Sequence, residues 1–367
     1  MQSFPIKKNG QKLLVTSILL LCFGLIAIYG ASAMKATQQM GSSFVFLQKQ
    51  LTAVALACFL SVIILKIPFS WFQKLSLPLL VFSFVGLILV FVPGLSVRAG
   101  GAQRWVNLIV YRFQPSELAK IAFVFFLAKT LSRPDYDVNS VKYGLAPIAI
   151  IYVFFAALLL KQPDLGSAAL IGCLTVLMLY GAGLKKKFLG ILAASSVAAL
   201  TIAIISAPYR LKRMFSFLDP WSQAKEGGFQ IIQSLLAFQN GGLLGVGLGE
   251  SKQKLYFLPE AHTDFILSVL AEELGFFGVL TLILLFSYIC FLGFQITFAQ
   301  KSLFRRHLAF GLTLALVSQA ILNMGVAMGL LPTKGMPLPF ISSGANSMIA
   351  SILMVVMLFR LTLAEDK

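Results

Sequence analysis

Acidic residues are scarce in this chain. Of 367 residues, 13 are Asp or Glu and 30 are Lys or Arg, with only 2 His and 4 Cys. Each shortage excludes something. His262 and His307 fall on opposite sides of the membrane in the orientation read below and cannot between them build a histidine-based metal site. Cys22, Cys58, Cys173 and Cys290 all fall inside apolar runs without metal-ligand spacing, so they read as small core hydrophobes and imply no disulfide framework. No Pro- or Ser-rich linker divides the chain and no internal repeat is visible, which leaves one membrane domain over residues 1–367. Gly245, Gly247 and Gly249 alternate as in a phosphate loop, but no strand precedes them, which excludes a nucleotide fold.

What fills the chain is apolar. It is 58% hydrophobic with a net charge of +17 and a mean hydropathy of +0.89, beyond a soluble globular composition. Ten apolar runs are spaced along it, at 13–34, 45–65, 76–94, 115–131, 143–160, 164–182, 188–207, 264–298, 307–330 and 342–363. Each is about the length that crosses a ~30 Å hydrocarbon layer, and each must satisfy its own backbone there. The expectation is an all-α, polytopic integral membrane protein of about ten transmembrane helices. A large extracytoplasmic loop, 208–263, joins the seventh and eighth. No small-residue cleavage site follows the first run, so it reads as a retained span.

Lys and Arg set the orientation. Lys185 to Lys187 and Arg305–Arg306 anchor alternate connections to the cytoplasm, placing both termini inside. The opposite face keeps the long connections 95–114 and 208–263 and still carries Arg98, Arg104, Arg112, Lys161, Arg210, Lys212, Arg213, Lys225, Lys252, Lys254 and Lys334. Lipid headgroups would attract such a face, and so would an anionic substrate. Within the second connection, Asp219-Pro220-Trp221 leads to Phe229–Asn240, whose apolar spacing predicts an amphipathic helix at the outer interface.

Against this background one stretch stands apart. Glu260, His262, Asp264, Glu272 and Glu273 fall within 14 positions, and ionisable groups near spans persist where they are paired, solvated or used. If a helix runs from Asp264 to about Phe298 it is near ~50 Å long. Asp264 then stands toward the outer face, where it can meet an aqueous pocket. Glu272 and Glu273 read as fixing that helix against its neighbours, and Asp164 as structural.

Several motifs occur in order. They are Arg104-Trp105; Gln114-Pro115-Ser116-Glu117-Leu118-Ala119-Lys120; Gln162-Pro163-Asp164-Leu165-Gly166; Arg210 to Arg213; Gly228 to Ala237; and Leu258 to Phe265. After these come Asn323-Met324-Gly325, Leu331 to Gly335, and Pro339-Phe340-Ile341-Ser342. In this order the chain resembles the SEDS family of FtsW, RodA and SpoVE, and its Pro-Glu-Ala-His-Thr-Asp-Phe-Ile and Pro-Thr-Lys-Gly forms look most like the FtsW branch. It departs from the family at Ser343-Gly344-Ala345-Asn346-Ser347, where Tyr-Gly-Gly-Ser is usual, and at Gln162, where Glu is usual.

The resemblance implies a membrane peptidoglycan glycosyltransferase that polymerises lipid II at the outer leaflet by an inverting displacement, in septal cell-wall synthesis during cell division. It implies Asp264 as general base; on the residues alone, a helix-capping Asp is the alternative. Arg112, Lys120, Arg210, Arg213 and Lys334 are candidates for pyrophosphate, or for snorkelling and surface solvation. Glu117 pairs with Lys120 at helical spacing. Trp105 stacks on sugar or anchors at the interface, and the family correspondence favours the former. His262 could bind metal, move protons or hydrogen-bond Glu260. The family implies a divalent cation (Mg or Mn), with Asp264, Glu260 and pyrophosphate oxygens as candidate ligands left open. Implied partners are lipid II, undecaprenyl-pyrophosphate-linked glycan, a class B penicillin-binding transpeptidase, other division or elongation proteins, and membrane lipids; no nucleic acid is implied. The implied location is the bacterial cytoplasmic (inner) membrane. A lipid II flippase and a division scaffold are the competing readings, and charge gathered at the outer end of the spans argues against a path lined from both leaflets.

Overall fold

The computed structural model describes residues 6–99, 102–108, 111–224, 227–254, 258 and 260–363; Lys225 of the basic outer loop lies outside them. The chain runs α1 (Ile6–Met40), α2 (Val45–Lys66), α3 (Phe69–Leu89), β1 (Ser96–Ala99), β2 (Ala102–Asn107), β3 (Arg112–Phe113), α4 (Pro115–Leu131), α5 (Ala146–Lys161), α6 (Leu165–Gly181) and α7 (Lys186–Ile205). It continues through α8 (Pro208–Leu218), α9 (Phe229–Gly241), α10 (Ile266–Ala299), α11 (Leu303–Ala327) and α12 (Ala345–Leu363). Among the described residues, eight helices are long and apolar enough to cross a membrane, α5 counted together with the helical turn Val141–Leu145 that leads into it. The other two expected spans are helices of 17 residues, α4 and α6, slightly short of the ~20 residues a full crossing takes.

The bundle is built around α4. Every position of α4 except Leu118, Phe126 and Lys129 is buried, and α3, α6, α11 and α12 pack around it. Pro115 opens this helix where a missing N–H is harmless. At the other extreme only Ala203 of α7 is buried, so α7 stands at the perimeter with its apolar side chains turned outward. The C-termini of α1, α3, α5, α7 and α11 and the N-termini of α2, α4, α6, α10 and α12 meet at one end, together with the strands, α8 and α9. This is the hairpin end.

Three expectations need correction and one, the third below, gains detail. First, the 95–114 connection, read as loop within an all-α protein, contains an antiparallel three-stranded sheet in the order β1-β2-β3, with Ser96 opposite Val106 and Asn107 opposite Arg112. Second, Cys22, Cys58 and Cys173 are exposed and Cys290 is half-buried; they sit in spans but on outward faces. Third, the helix expected over 229–240 is present as α9, and its inward face packs against the bundle. Its Ile231, Ile232, Ser234 and Ala237 are buried, and Ser234 Oγ lies within hydrogen-bond distance of Ser268 Oγ on α10 and donates to the Ala327 carbonyl on α11. The strongly two-sided helix of this region is α8, which the sequence reading did not pick out. Fourth, α10 is not one straight rod: Gly275 has φ 66° and ψ −163°, which breaks it into 266–274 and 276–299.

The break is filled by the segment after α9. Phe276 N–H donates to the Gly242 carbonyl at 2.9 Å, while Val246 and Gly247 N–H donate to the carbonyls of Glu272 and Glu273 at 3.0 and 3.1 Å. Backbone lies on backbone here, so only glycine fits: a Cβ on Gly245, at φ +81°, would come within 2.1 Å of the Glu273 carbonyl oxygen. The two carboxylates then hold the next stretch of chain. Glu272 is buried and accepts from Asn240 Nδ2 at 3.2 Å, from Gln253 N at 3.1 Å and from Ser251 Oγ. Lys254 Nζ reaches Glu273 at 2.7 Å and the Gly249 carbonyl at 2.6 Å. Removing the charge of Glu272 weakens three bonds at a buried acceptor, each worth roughly 1 kcal/mol net. Glu272→Gln is expected to lower the thermal midpoint of the detergent-solubilised protein by several degrees and to speed amide exchange across 249–254. An unchanged midpoint with unchanged exchange would contradict this clamp.

Candidate functional site

Five pieces of chain converge at the hairpin end: β2, the α5–α6 turn at 162–166, α8, the approach to α10 at 260–265, and the α11–α12 loop at 328–344. The last of these, together with Asn323 of α11, fixes the backbone beside Asp264. Asn323 Nδ2 donates to the Asp264 carbonyl at 2.9 Å and to the Met336 carbonyl at 2.6 Å. Ser342 Oγ donates to the Thr263 carbonyl at 2.5 Å, and Ser343 N–H to the His262 carbonyl at 2.9 Å. Three successive carbonyls are thereby pinned. Gly335 lies over the carboxyl itself, where a Cβ would stand 3.0 Å from Asp264 Oδ2. Glu260 leads into this turn at φ 59°, a conformation that costs a non-glycine residue energy and persists where the surroundings enforce it.

The carboxyl of Asp264 is half-buried among charges. Burial raises its pKa from the ordinary 3.8 to about 7, with Glu260 pushing the same way and Arg104 and Arg213 pushing back. Glu260 is exposed, and its Oε2 accepts from Thr263 Oγ1 at 2.8 Å. A near-neutral carboxyl can exchange a proton at physiological pH, which is what a general base must do.

Beside it opens a cleft lined by Arg104, Arg210, Arg213, Lys334 and Gly335 together with the 163–166 turn. Arg104 is tethered by its Nε to the Gln162 carbonyl at 3.4 Å and by its Nη2 to the Pro163 carbonyl. Asp164, buried, caps α6 by accepting from Ser167 N at 3.1 Å and Ser167 Oγ at 2.7 Å. Lys334 extends across Gly166, where a Cβ would fall 2.2 Å from Nζ. Burial brings Lys334 down to about 8; Asp164 opposes the shift, and Lys120 and Arg104 add to it. The ammonium is thus largely charged near neutrality, but only just.

Arg210 and Lys120 are placed differently from these. Arg210 lines the cleft but donates to Ala203 O at 2.8 Å, Leu160 O at 3.0 Å and Tyr209 Oη at 2.8 Å, which fastens α8 to the ends of α5 and α7. Lys120 lies deeper, 2% exposed, paired with Glu117 at 2.8 Å and with Gln319 Oε1 at 2.5 Å. Its charge reaches Lys334, but its ammonium is enclosed in protein. Neither Arg112 nor Trp105 lines the cleft. Arg112 is exposed on β3, its carbonyl accepting from Asn346 Nδ2 at 2.8 Å. Trp105 follows Arg104 on β2, so the alternation of a strand sends it to the opposite face. His262 is buried with its ring 4.6 Å from that of Phe46. Burial and Lys35 lower its pKa to about 4 against the pull of Glu260, so its imidazole is neutral.

Sequence reasoning named the charges and missed what holds them. Asn323 and Ser342 appeared only as parts of motifs, yet they fix the Asp264 backbone. A lone Asn in the apolar stretch of α11 was the available signal, since a polar side chain in a span needs a partner. For a divalent cation, no group of three or more His, Cys, Asp or Glu occurs among the described residues. Glu260 acts on Asp264 through its charge, and one or two carboxylates plus phosphate oxygens are a donor set that magnesium accepts.

The family described as "Cell cycle protein", FtsW/RodA/SpoVE, matches residues 11–367. A Geobacter metallireducens protein named as a probable peptidoglycan glycosyltransferase FtsW is 40% identical over 95% of this chain and 93% of its own length. Stage V sporulation protein E of Bacillus subtilis is 38% identical over 95% and 96%. Among solved structures, a chain from a peptidoglycan synthase complex superposes with a TM-score of 0.77 at 26% identity, covering 96% of this chain and 97% of that one. Thermus thermophilus RodA gives a TM-score of 0.71 at 25% identity, covering 96% of each. With its apolar helices and a match over nearly its whole length, this multi-pass membrane protein belongs to the FtsW/RodA/SpoVE family.

Proposed function

We propose that this chain is a peptidoglycan glycosyltransferase that polymerises lipid II, with the hairpin end on the extracytoplasmic side of the bacterial cytoplasmic membrane and both termini inside. The observation that carries the reading is the carboxyl of Asp264, held near neutrality beside a cleft lined by four cationic side chains. Relatives named as probable peptidoglycan glycosyltransferases support the substrate. Their name FtsW and the family's description as a cell cycle protein support a role in septal wall synthesis during division.

The chemistry is a single displacement. A sugar hydroxyl of lipid II attacks the anomeric carbon of a glycan linked to undecaprenyl pyrophosphate. The new carbon–oxygen bond forms as the bond to the pyrophosphate breaks, and the electron pair leaves with the pyrophosphate. Asp264 takes the hydroxyl proton. Arg104, Arg213 and Lys334 face the charge that develops on the leaving oxygen, where fixed cations away from bulk water act most strongly. One carboxylate on the attacking side suits inversion, which needs a base and no carboxylate nucleophile. Arg210 holds α8 in place, and Lys120 supplies charge from below.

Asp264 and Glu260 are the residues that would hold a divalent cation (Mg or Mn), which would supply further positive charge at the site. A class B penicillin-binding transpeptidase is the expected protein partner, supported by the likeness to a chain of a peptidoglycan synthase complex.

Two experiments test this reading. In a lipid II polymerisation assay on purified protein with its cognate transpeptidase, Asp264→Asn should lower the rate by two to four orders of magnitude, the usual scale of losing a general base, while lipid II binding stays near wild type. Full polymerisation by this variant would remove the base assignment. The pH profile of kcat/KM should be a bell. It rises as Asp264 loses its proton, through about pH 7 without a bound cation and lower with one, and falls above about pH 8 as Lys334 loses its charge. Lys334→Arg should carry the falling limb upward out of range, because a guanidinium stays charged; a limb that does not move would exclude Lys334 from the leaving-group role.

A further inference from the structure

Most of α2 faces outward. Its buried residues are Gln50, Ala53, Ala57 and Ser61, a stripe at helical spacing, and α2 packs along α12. Three of the four are small, which lets two helices in lipid approach closely. The fourth, at the outer end of the stripe, is a long amide only 2% exposed. A buried polar group near the end of a span calls for a partner.

That partner is the start of α12. Gln50 Oε1 accepts from the Gly344 N–H at 3.2 Å. The Gly344 carbonyl accepts the Met348 N–H at 2.9 Å as the helix opens, so the Gly344 N–H has no partner within the helix itself. The two residues before Gly344 reach the turn that carries Asp264. Ser343 N–H donates to the His262 carbonyl at 2.9 Å, and Ser342 Oγ donates to the Thr263 carbonyl at 2.5 Å. One helical turn before Gln50, Phe46 lays its ring 4.6 Å from that of His262. The first turns of α2 therefore support the residues ahead of Asp264 twice, by a ring contact and through residues 342–344. Neither Phe46 nor Gln50 lines the cationic cleft.

The other end of the amide adds a second observation. Gln50 Nε2 is buried without a hydrogen-bond partner among the described residues. An unpaired buried donor costs stability, and an apolar side chain of the same shape would avoid that cost. What Gln50 contributes is its oxygen, and that oxygen fixes Gly344.

We propose that Gln50 is a positioning residue for glycosyl transfer: it anchors the start of α12 and, through Ser343 and Ser342, sets where the Asp264 backbone stands. The inference rests on Asp264 as the base in the polymerase reading. Its loss removes no group from the cleft; it loosens the mount of one. A misplacement of about 1 Å at a reacting group costs on the order of a hundredfold in rate.

The test uses the full chain in nanodiscs with the cognate transpeptidase. Gln50→Met keeps the length and burial of the side chain and loses the acceptor. Gln50→Asn keeps the amide but falls one methylene short, and carries the same expectation if the Met variant does not fold. Either should lower kcat for lipid II polymerisation roughly tenfold to a hundredfold, with KM within about twofold of wild type. Gln50→Glu, which keeps an oxygen in place, should recover most of that loss. Amide exchange in Gln50→Met should quicken over 260–265 and 341–346 and stay unchanged over 249–254, where the Glu272 clamp is separate. A lower thermal midpoint with wild-type kcat would make Gln50 purely structural and overturn the proposal. So would a fall in kcat with unchanged exchange over 260–265, because the loss would not then pass through the Asp264 turn. Absence of polymer from wild type is a different result: it overturns the polymerase reading, while the exchange measurement still decides whether Gln50 holds that turn.

Discussion

A carboxyl taken out of water keeps its proton, and a carboxyl flanked by guanidinium groups loses it. At Asp264 the first tendency wins: burial and Glu260 outweigh Arg104 and Arg213, and the margin carries the carboxyl from 3.8 up to about 7. Everything around the site maintains that margin. Asn323 and Ser342 fix the backbone on either side of the carboxyl, and Gly335 lets the α11–α12 loop lie close above it. Arg104 is held by carbonyls of the α5–α6 turn. A shift of one such element would expose the carboxyl or remove a cation, and either change moves the proton equilibrium.

The spans were legible because lipid leaves few options: an apolar run of the right length must be a helix. Which side of each helix faces inward was not legible, for the same reason. Lipid tails and a membrane protein's interior are equally apolar, so composition does not separate core from periphery. The cysteines show this: in spans as expected, yet facing outward. Charge was legible as residues but not as roles. Arg210 and Arg213 are three positions apart on α8 and both line the cleft, yet Arg210 is fastened to three protein oxygens while Arg213 acts on Asp264 through its charge. The sheet was hidden because its strands are short and lie in a charged connection. The break in α10 was hidden because Gly275 follows an unbroken helical pattern, and a single glycine there is ordinarily tolerated.

Lys120 shows how a buried charge can serve a site it does not enter. Its ammonium is satisfied by Glu117 and Gln319. Gln319 in turn donates to the Pro337 carbonyl at 2.9 Å and to Ser347 Oγ at 3.0 Å, which ties α4 and α11 to the α11–α12 loop and to α12. Removing one partner would leave a charge or a carbonyl stranded in a dry interior, a larger loss than the pair's net contribution. The network therefore holds the loop that carries Lys334 and Gly335, and its positive end adds to the field that brings Lys334 close to titration.

The break at Gly275 completes the argument. Had α10 been a single rod, Asp264 would sit at the tip of a long lever, and any bend within the bilayer would displace it. Instead the first section of the helix, residues 266–274, is separated from the rest by backbone that cannot be helical. The hydrogen bonds lost at the break are replaced by those from 242–247, and Glu272 and Glu273 fasten the following stretch of chain to the same short section. The clamp therefore grips the section of helix that directly follows Asp264. Non-helical backbone at membrane depth is tolerated only where protein surrounds it, and the glycines at 241, 245 and 275 are what let protein approach that closely. The carboxyl is thus mounted on a short braced post, so its distance from the cations is set locally and not by the span below it.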